Sequence, residues 1–137
     1  MAKVAINGFG RIGRNALRAY LKSQPKNFEI VAINDPLQDL DQSAHLLKYD
    51  SVLGELPFEV SHTEDALVID GKKILFSREK DPSTCPWSKM GIDIVLECSG
   101  VFTEAEKAKG HIKAGAKKVL ISAPAKDEDI TIVLGVN

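Results

Sequence analysis

Val4 to Asp35 reads VAINGFGRIGRNALRAYLKSQPKNFEIVAIND, and the order of residue types in it decides the fold. Val4-Ala5-Ile6 is a short apolar run followed at once by Asn7 and by Gly8, Gly10 and Gly13, the pattern of a buried strand ending in a tight turn. Ile12, Ala16, Leu17, Tyr20 and Leu21 then recur on one face at helical spacing, and no helix breaker comes before Pro25. Glu29 to Asn34 predicts a second buried strand, and it ends in Asp35. Strand, glycine turn, helix, strand and acid within one unit supply the context that a lone G-x-G-x-x-G lacks.

Each residue type has a physical task in such a unit. Gly8 can take the backbone angles of a sharp turn, Gly10 has no side chain to hold a pyrophosphate off the backbone, and Gly13 lets the helix lie close on the strand. The first amides of the helix have no partner inside it and the macrodipole adds partial positive charge, so an anion is favoured at its mouth. Arg11 is expected to add a full charge there. Asp35, at the carboxyl end of the second strand, is placed to accept hydrogen bonds from both hydroxyls of an adenosine ribose and to repel a 2′-phosphate. The unit therefore predicts a dinucleotide site that favours NAD over NADP.

A chain of 137 residues has room for one domain of ordinary size, which is short for a dinucleotide enzyme with a substrate domain as well. Its net charge is −1 with the two signs mixed along the chain, so neither a nucleic-acid surface nor binding to an anionic membrane is expected. The stretch from Glu104 to Lys113 reads as a solvated helix. No apolar run approaches the roughly 20 residues that a membrane span needs, and the N-terminus enters a core strand with no signal-peptide pattern, which predicts a cytoplasmic protein. Cys85 and Cys98 are too few for a disulfide framework, and His45, His62 and His111 lack metal-ligand spacing, so no metal is expected. As a nucleophile Cys98 would need a base or a positive neighbourhood, and Glu97 beside it has the wrong charge. Cys98 and Cys85 read as packing residues. His111, beside Ile112, is expected to hydrogen-bond a neighbouring turn rather than act as a base.

Along the rest of the chain, Asp39 or Asp41 is expected to cap a helix carrying Ala44, Leu46 and Leu47 towards Tyr49, stopped by Asp50-Ser51 and Gly54. Glu59 to Ser61, Ala66 to Ile69 and Lys72 to Phe76 read as short strands, and Asp70-Gly71 between the last two is a two-residue hairpin signal. Ser77 to Trp87 is broken by Pro82 and Pro86 and reads as loop, with a helical turn before Gly91. Ile92 to Leu96 predicts a central parallel strand ending in a second small-residue turn, Glu97-Cys98-Ser99-Gly100. Thr103 and Glu106 predict a capping box for a helix to about Ala114 with Gly115 as its stop. Val119 to Ile121, ahead of Ser122-Ala123-Pro124, and Ile130 to Leu134 complete the strands. This alternation predicts an α/β fold, a doubly wound and mostly parallel Rossmann sheet with an antiparallel hairpin insertion. The turns at Gly8, Asp35, Ser99 and Ser122 then share the carboxyl edge of the sheet, where such folds bind ligands.

INGFGRIGR at Ile6 to Arg14, Asn34-Asp35, LLKYDS at Leu46 to Ser51, Asp81-Pro82 ahead of Trp87, and CSGVF at Cys98 to Phe102 stand in an order that resembles phosphorylating glyceraldehyde-3-phosphate dehydrogenase. HIKAGAKKVLISAP at His111 to Pro124 and Gly135-Val136-Asn137 extend the resemblance over the whole chain. It implies that Asn7, Gly8, Gly10 and Gly13 form the NAD turn, that Arg11 and Ile12 meet the pyrophosphate through their backbone, and that Asn34-Asp35 serves the ribose. It places Ser99, Gly100 and Ser122 on the nicotinamide side. Lys80 stands where the family usually has arginine, in a loop whose adenine contact is made largely through backbone, so the change is expected to be tolerated.

In the family a cysteine in a Ser-Cys-Thr-Thr-Asn motif forms a thiohemiacetal, hydride passes to NAD, and phosphate releases the acyl group. That motif, its histidine partner, the substrate-phosphate arginines and the C-terminal helix are not among these residues. The resemblance thus implies an isolated NAD-binding domain over residues 1–137, inactive alone, from a glycolytic enzyme that acts on a small-molecule substrate as a homotetramer. Without its C-terminal helix the domain is expected to expose an apolar sheet face and to self-associate. Two alternatives stand beside it: a non-catalytic NAD-binding or interaction module, and the cofactor domain of erythrose-4-phosphate dehydrogenase, which tends to carry Glu at the position of Asp35.

Overall fold

The structure is a computed structural model that describes residues 1–23, 27–99 and 109–121. The unit that opens the chain folds as expected: β1 (Ala2–Asn7), α1 (Arg11–Lys22) and β2 (Phe28–Asn34) follow one another, with β1 and β2 paired in parallel. A register shift between Val4 and Ala5 offsets the two strands by one residue, so that Val4 faces Ile30 while Ala5 faces Ala32. After α2 (Leu40–Lys48), a two-stranded antiparallel ribbon of β3 (Tyr49–Asp50) and β4 (Gly54–Glu55) reverses the chain. This ribbon occupies the segment read only as a helix stop. The Asp50 carboxylate makes it by accepting the backbone N–H groups of Val52 and Leu53, both at 2.8 Å.

The antiparallel insertion comprises β5 (Val60–His62), β6 (Ala66–Ile69) and β7 (Lys72–Ser77). Asp70 and Gly71 both adopt positive φ, 48° and 84°, as a two-residue turn of the primed type requires. A 3-10 turn (Pro82–Thr84) and the short helix α3 (Trp87–Met90) lead to β8 (Ile94–Glu97). Gly91 closes α3 in the left-handed conformation, at φ 65°. The last described elements are α4 (Gly110–Lys113) and β9 (Lys118–Ile121), with Gly115 at φ 121° stopping the helix as its position predicts. The expected capping box at Thr103 and Glu106 and the strand at Ile130 to Leu134 lie outside the described residues.

Sheet order is β5-β6-β7-β2-β1-β8-β9, with parallel pairing from β7 across to β9. The chain leaves β1 to one side for β2 and to the other for β8, so the winding reverses beside β1. Among the described residues both faces of the central strands are packed, while Leu75 of β7 and Leu120 of β9 stay exposed. Leu17 of α1 and Leu40, Ala44 and Leu47 of α2 pack with Val4, Ile6 and Ile33 on one face. Trp87 of α3 packs with Ala5, Ala32, Val95 and Ala114 on the other. This is the mostly parallel, doubly wound sheet with a hairpin insertion that the alternation predicts.

Two side chains of α1 depart from the expected apolar face. Ile12 lies at the helix mouth and is 57% exposed, whereas Arg18 is buried. Arg18 donates from Nε to Leu47 O and from Nη2 to Lys48 O, both at 3.1 Å, and from Nη2 to Gly54 O at 2.8 Å. A cation at the carboxyl end of α2 meets the last carbonyls of that helix and the negative end of its dipole, which is why it is tolerated inside.

Candidate cofactor-binding site

The site is built where the winding reverses, at the carboxyl ends of β1, β2 and β8. Gly8 turns the chain at φ 95°, and a Cβ on it would lie 2.5 Å from the backbone nitrogen of Ser99. A Cβ on Gly13 would lie 2.1 Å from the carbonyl oxygen of Gly8, so the helix rests directly on the turn. At Gly10 a Cβ would meet nothing within 4 Å. Two of the glycines are thus demanded by packing, and the third faces open space. Gly10 is also the N-cap of α1 and supplies no side-chain cap, so the amides of the first turn have no such acceptor. Neutral donors aimed at an open space, on a twelve-residue helix, suit a pyrophosphate.

Asp35 braces this turn. Its Oδ2 accepts the Phe9 N–H at 2.7 Å and its Oδ1 the Leu37 N–H at 2.8 Å, while Arg14 Nη1 donates to Phe9 O at 3.2 Å. Phe9 is therefore held at both backbone groups. Each carboxylate oxygen keeps a second lone pair, so the group can brace the turn and still accept from a ligand hydroxyl.

Arg11 is half-exposed at the mouth of α1, and its guanidinium lies 3.4 Å from both carboxylate oxygens of Asp50, so part of its charge is offset there. Asp50 is held below the ordinary carboxylate value chiefly by the N–H groups of Leu53 and Val52 and then by Arg11. Asn7 and Asn34 lie beneath the site rather than in it, at 4% and 1% exposure. Asn7 Nδ2 donates to Glu97 Oε1 and Asn34 Nδ2 to Asn7 Oδ1, both at 2.7 Å. Lys80 is exposed in the loop after β7, and Ser99 is half-buried after β8. Gly100 and Ser122 lie outside the described residues.

A family profile described as the NAD-binding domain of glyceraldehyde 3-phosphate dehydrogenase matches residues 2–105. The chain belongs to that family. Relatives of this NAD-binding domain bear the same name over its whole length. The glyceraldehyde-3-phosphate dehydrogenase of Streptomyces coelicolor is 60% identical over 135 residues, 98% of this chain and 40% of its own. Those of Geobacillus stearothermophilus and Thermotoga maritima are 58% and 55% identical, over 98% and 100% of this chain and 39% and 41% of theirs. The chain thus spans about 40% of the length of the relatives it matches. Its cofactor is NAD.

Sequence reasoning did not bring together three residues of this NAD-binding domain, Glu97, His111 and Trp87. Glu97 is 1% exposed, and His111, in a segment read as solvated, is fully buried. His111 Nε2 lies 2.8 Å from Glu97 Oε1, and Trp87 Nε1 donates to His111 Nδ1 at 2.9 Å, so His111 joins α3 to Glu97, the residue that opens the turn after β8. Burial alone would raise the Glu97 carboxyl, but hydrogen bonds from His111, Ser99 and Asn7 outweigh it and hold the group below its ordinary 4.5. Cys85 is buried, and burial first, then Glu79, Glu97 and Asp81, pushes its thiol up to about 12, as suits a packing residue. Cys98 packs against the core from the end of β8. Among the described residues there is no group of His, Cys, Asp and Glu that could hold a metal, and no helix long and apolar enough to cross a membrane.

Proposed function

We propose that this chain is the cofactor half of a phosphorylating glyceraldehyde-3-phosphate dehydrogenase of glycolytic type. In this reading the pyrophosphate sits on the open backbone at Gly10, Arg11 and Ile12, with Gly8 and Gly13 shaping the turn. Asp35 accepts from the adenosine ribose, the loop at Lys80 flanks the adenine, and Ser99, Gly100 and Ser122 line the nicotinamide side. Asn7 and Asn34 support this edge from below. When bound, NAD supplies the hydride acceptor for oxidation of the aldehyde, while this chain's residues bind and orient it. The nucleophile, its base and the substrate-phosphate contacts come from a further domain, so residues 1–137 alone do not turn over substrate. The assembled protein is a cytoplasmic homotetramer acting on a small molecule, without nucleic-acid or membrane partners.

The observation that carries this reading is the division of labour among the glycines, with two positions closed by packing and Gly10 left open. Calorimetric titration of the chain with NAD and with NADP tests it. Saturable NAD binding that exceeds NADP binding is expected. The acid is best probed by Asp35→Asn, which keeps an acceptor for one of the Phe9 and Leu37 N–H groups where Asp35→Ala would release both. The variant should lose much of the preference for NAD. NADP binding as tight as NAD binding in the unmodified chain would sink the assignment of Asp35.

A further inference from the structure

The strand ends beneath the site carry an ordered row of polar side chains. Ser77, Asn34, Asn7 and Glu97 are the last residues of β7, β2, β1 and β8 in the order those strands lie in the sheet. Each is in register with the next: Ser77 with Asn34, Asn34 with Asn7, and Asn7 with Glu97. The row is closed by Trp87 and His111 beside Glu97, and by the backbone of Glu79 beside Asn34.

The direction of every hydrogen bond in the row follows from groups that can only donate. The Trp87 indole donates to His111 Nδ1, so the proton of that ring is on Nε2 and is given to Glu97 Oε1. Asn7 Nδ2 donates to the same oxygen, while the backbone N–H of Ser99, at 3.0 Å, and its hydroxyl donate to Oε2. Both oxygens of Glu97 are therefore acceptors. Asn7 must then turn Oδ1 towards Asn34, which must present Nδ2. That leaves Asn34 Oδ1 for the Ser77 hydroxyl at 2.7 Å and the Glu79 N–H at 2.8 Å, while its Nδ2 also reaches Glu79 O at 2.9 Å. A neutral amide at position 97 offers one acceptor where two are required. Whichever way it is turned, a donor meets a donor, and relief by turning Asn7 moves the conflict on to Asn34 and Glu79.

We propose that Glu97 is a positioning residue for the dinucleotide site: its carboxylate, held by His111 and Trp87, couples the Ser99 turn to the Glu79 loop through Asn7 and Asn34. The functional consequence rests on the reading above, in which Ser99 lies on the nicotinamide side and the loop containing Lys80 on the adenine side. Order at one half of the cofactor is then transmitted to the other beneath the sheet edge.

Two variants of the chain, Glu97→Gln and Asn7→Ala, are compared with the unmodified chain by nitrogen-15 NMR without ligand. In Glu97→Gln the Asn34 side-chain amide and the Glu79 backbone amide are expected to shift, two and three links from the change. In Asn7→Ala, which cuts the row in its middle, Glu79 and the Trp87 indole N–H are both expected to shift. Each variant tests the coupling alone, so failure of one to fold leaves the other decisive. Shifts that stop at the immediate neighbours in a folded variant would overturn the proposal. Titration then uses AMP, which carries only the adenosine half, beside NAD. Glu97→Gln should weaken AMP binding as well as NAD binding, by at least about fivefold. Unchanged AMP affinity with weakened NAD affinity would refute the coupling. An unmodified chain that binds neither compound would count against the site assignment, and the ligand-free spectra would still decide whether the row is coupled.

Discussion

Gly13→Ala sets helix propensity against a backbone clash. In an exposed helix the change would stabilise by about 0.5–1 kcal/mol, because alanine loses less backbone freedom on folding. Here the new Cβ would lie 2.1 Å from Gly8 O, 3.2 Å from Gly8 C and 3.3 Å from Ile6 Cγ2. The first gap must open by about 1 Å before an ordinary contact is restored. Neither side can yield cheaply. The Gly8 N–H is bonded to Asn34 O at 2.8 Å, and the far side of the turn lies on Ser99. The helix is anchored by fully buried Leu17 and by Arg18, with its bonds to three carbonyls. Overpacking usually costs about 1–3 kcal/mol, and a rigid backbone partner puts this site at the top of that range. Set against the gain in propensity, this leaves a net loss of about 2 kcal/mol, a large share of a stability of roughly 5–15 kcal/mol.

Gly10→Ser is the matched opposite. Its side chain meets no protein atom, and serine at an N-cap is better than glycine by a few tenths of a kcal/mol, so the fold should be as stable or slightly more so. It would stand where the pyrophosphate approaches, and NAD affinity should fall by about tenfold or more. Urea unfolding followed by far-ultraviolet circular dichroism measures the first quantity, and calorimetric NAD titration the second. Gly13→Ala with the stability of the parent chain, or folded Gly10→Ser with undiminished NAD affinity, would refute the division of roles.

Three other outcomes are expected. Arg18→Met should cost about 2 kcal/mol in urea unfolding, because it takes the Arg18 donors from the carbonyls of Leu47 and Gly54, while Lys48 O keeps the Leu56 N–H and most of the side-chain volume is retained. With the Cys85 thiol at about 12, only about one molecule in ten thousand carries the thiolate at pH 8, so this cysteine should resist alkylation until the chain is unfolded; labelling followed by peptide mass analysis checks this. Glu97 has its folded-state value below the ordinary 4.5, so its contribution to stability is present above that value and is lost as pH falls through the folded-state value. The urea midpoint of Glu97→Gln should accordingly vary less with pH between about 5 and 3 than that of the unmodified chain.

The elements legible in the sequence are those in which periodicity and punctuation agree. Val4 to Asp35, the Asp70-Gly71 hairpin and the Gly91 and Gly115 stops all combine an apolar rhythm with a residue whose backbone freedom the turn uses. The β3–β4 ribbon was hidden because two-residue strands have no rhythm, and the bonds from Val52 and Leu53 to Asp50 look in sequence like a simple helix stop. Arg18 was hidden because its task depends on carbonyls about 30 residues further along the chain. Asp39 sits at the N-cap of α2 as expected but makes no cap bond, and lies 3.7 Å from Arg78 instead.

The site shows the limit more sharply. A parallel sheet ends its strands along one edge, so polar residues at strand ends are rightly gathered there by sequence reasoning. Whether such a residue faces the ligand or its neighbour depends on register, and the shift between Val4 and Ala5 helps to set it. With that shift Asn7 lies beside Asn34 and Glu97, and the asparagines become each other's partners beneath the site. Asp35, one residue beyond the row, keeps its carboxylate on the turn at Phe9. One step along the chain thus separates a residue that supports the edge from one that can meet the cofactor. Substitutions at Asn7 and Asn34 should therefore act on stability before they act on binding, the reverse of the order expected at Gly10.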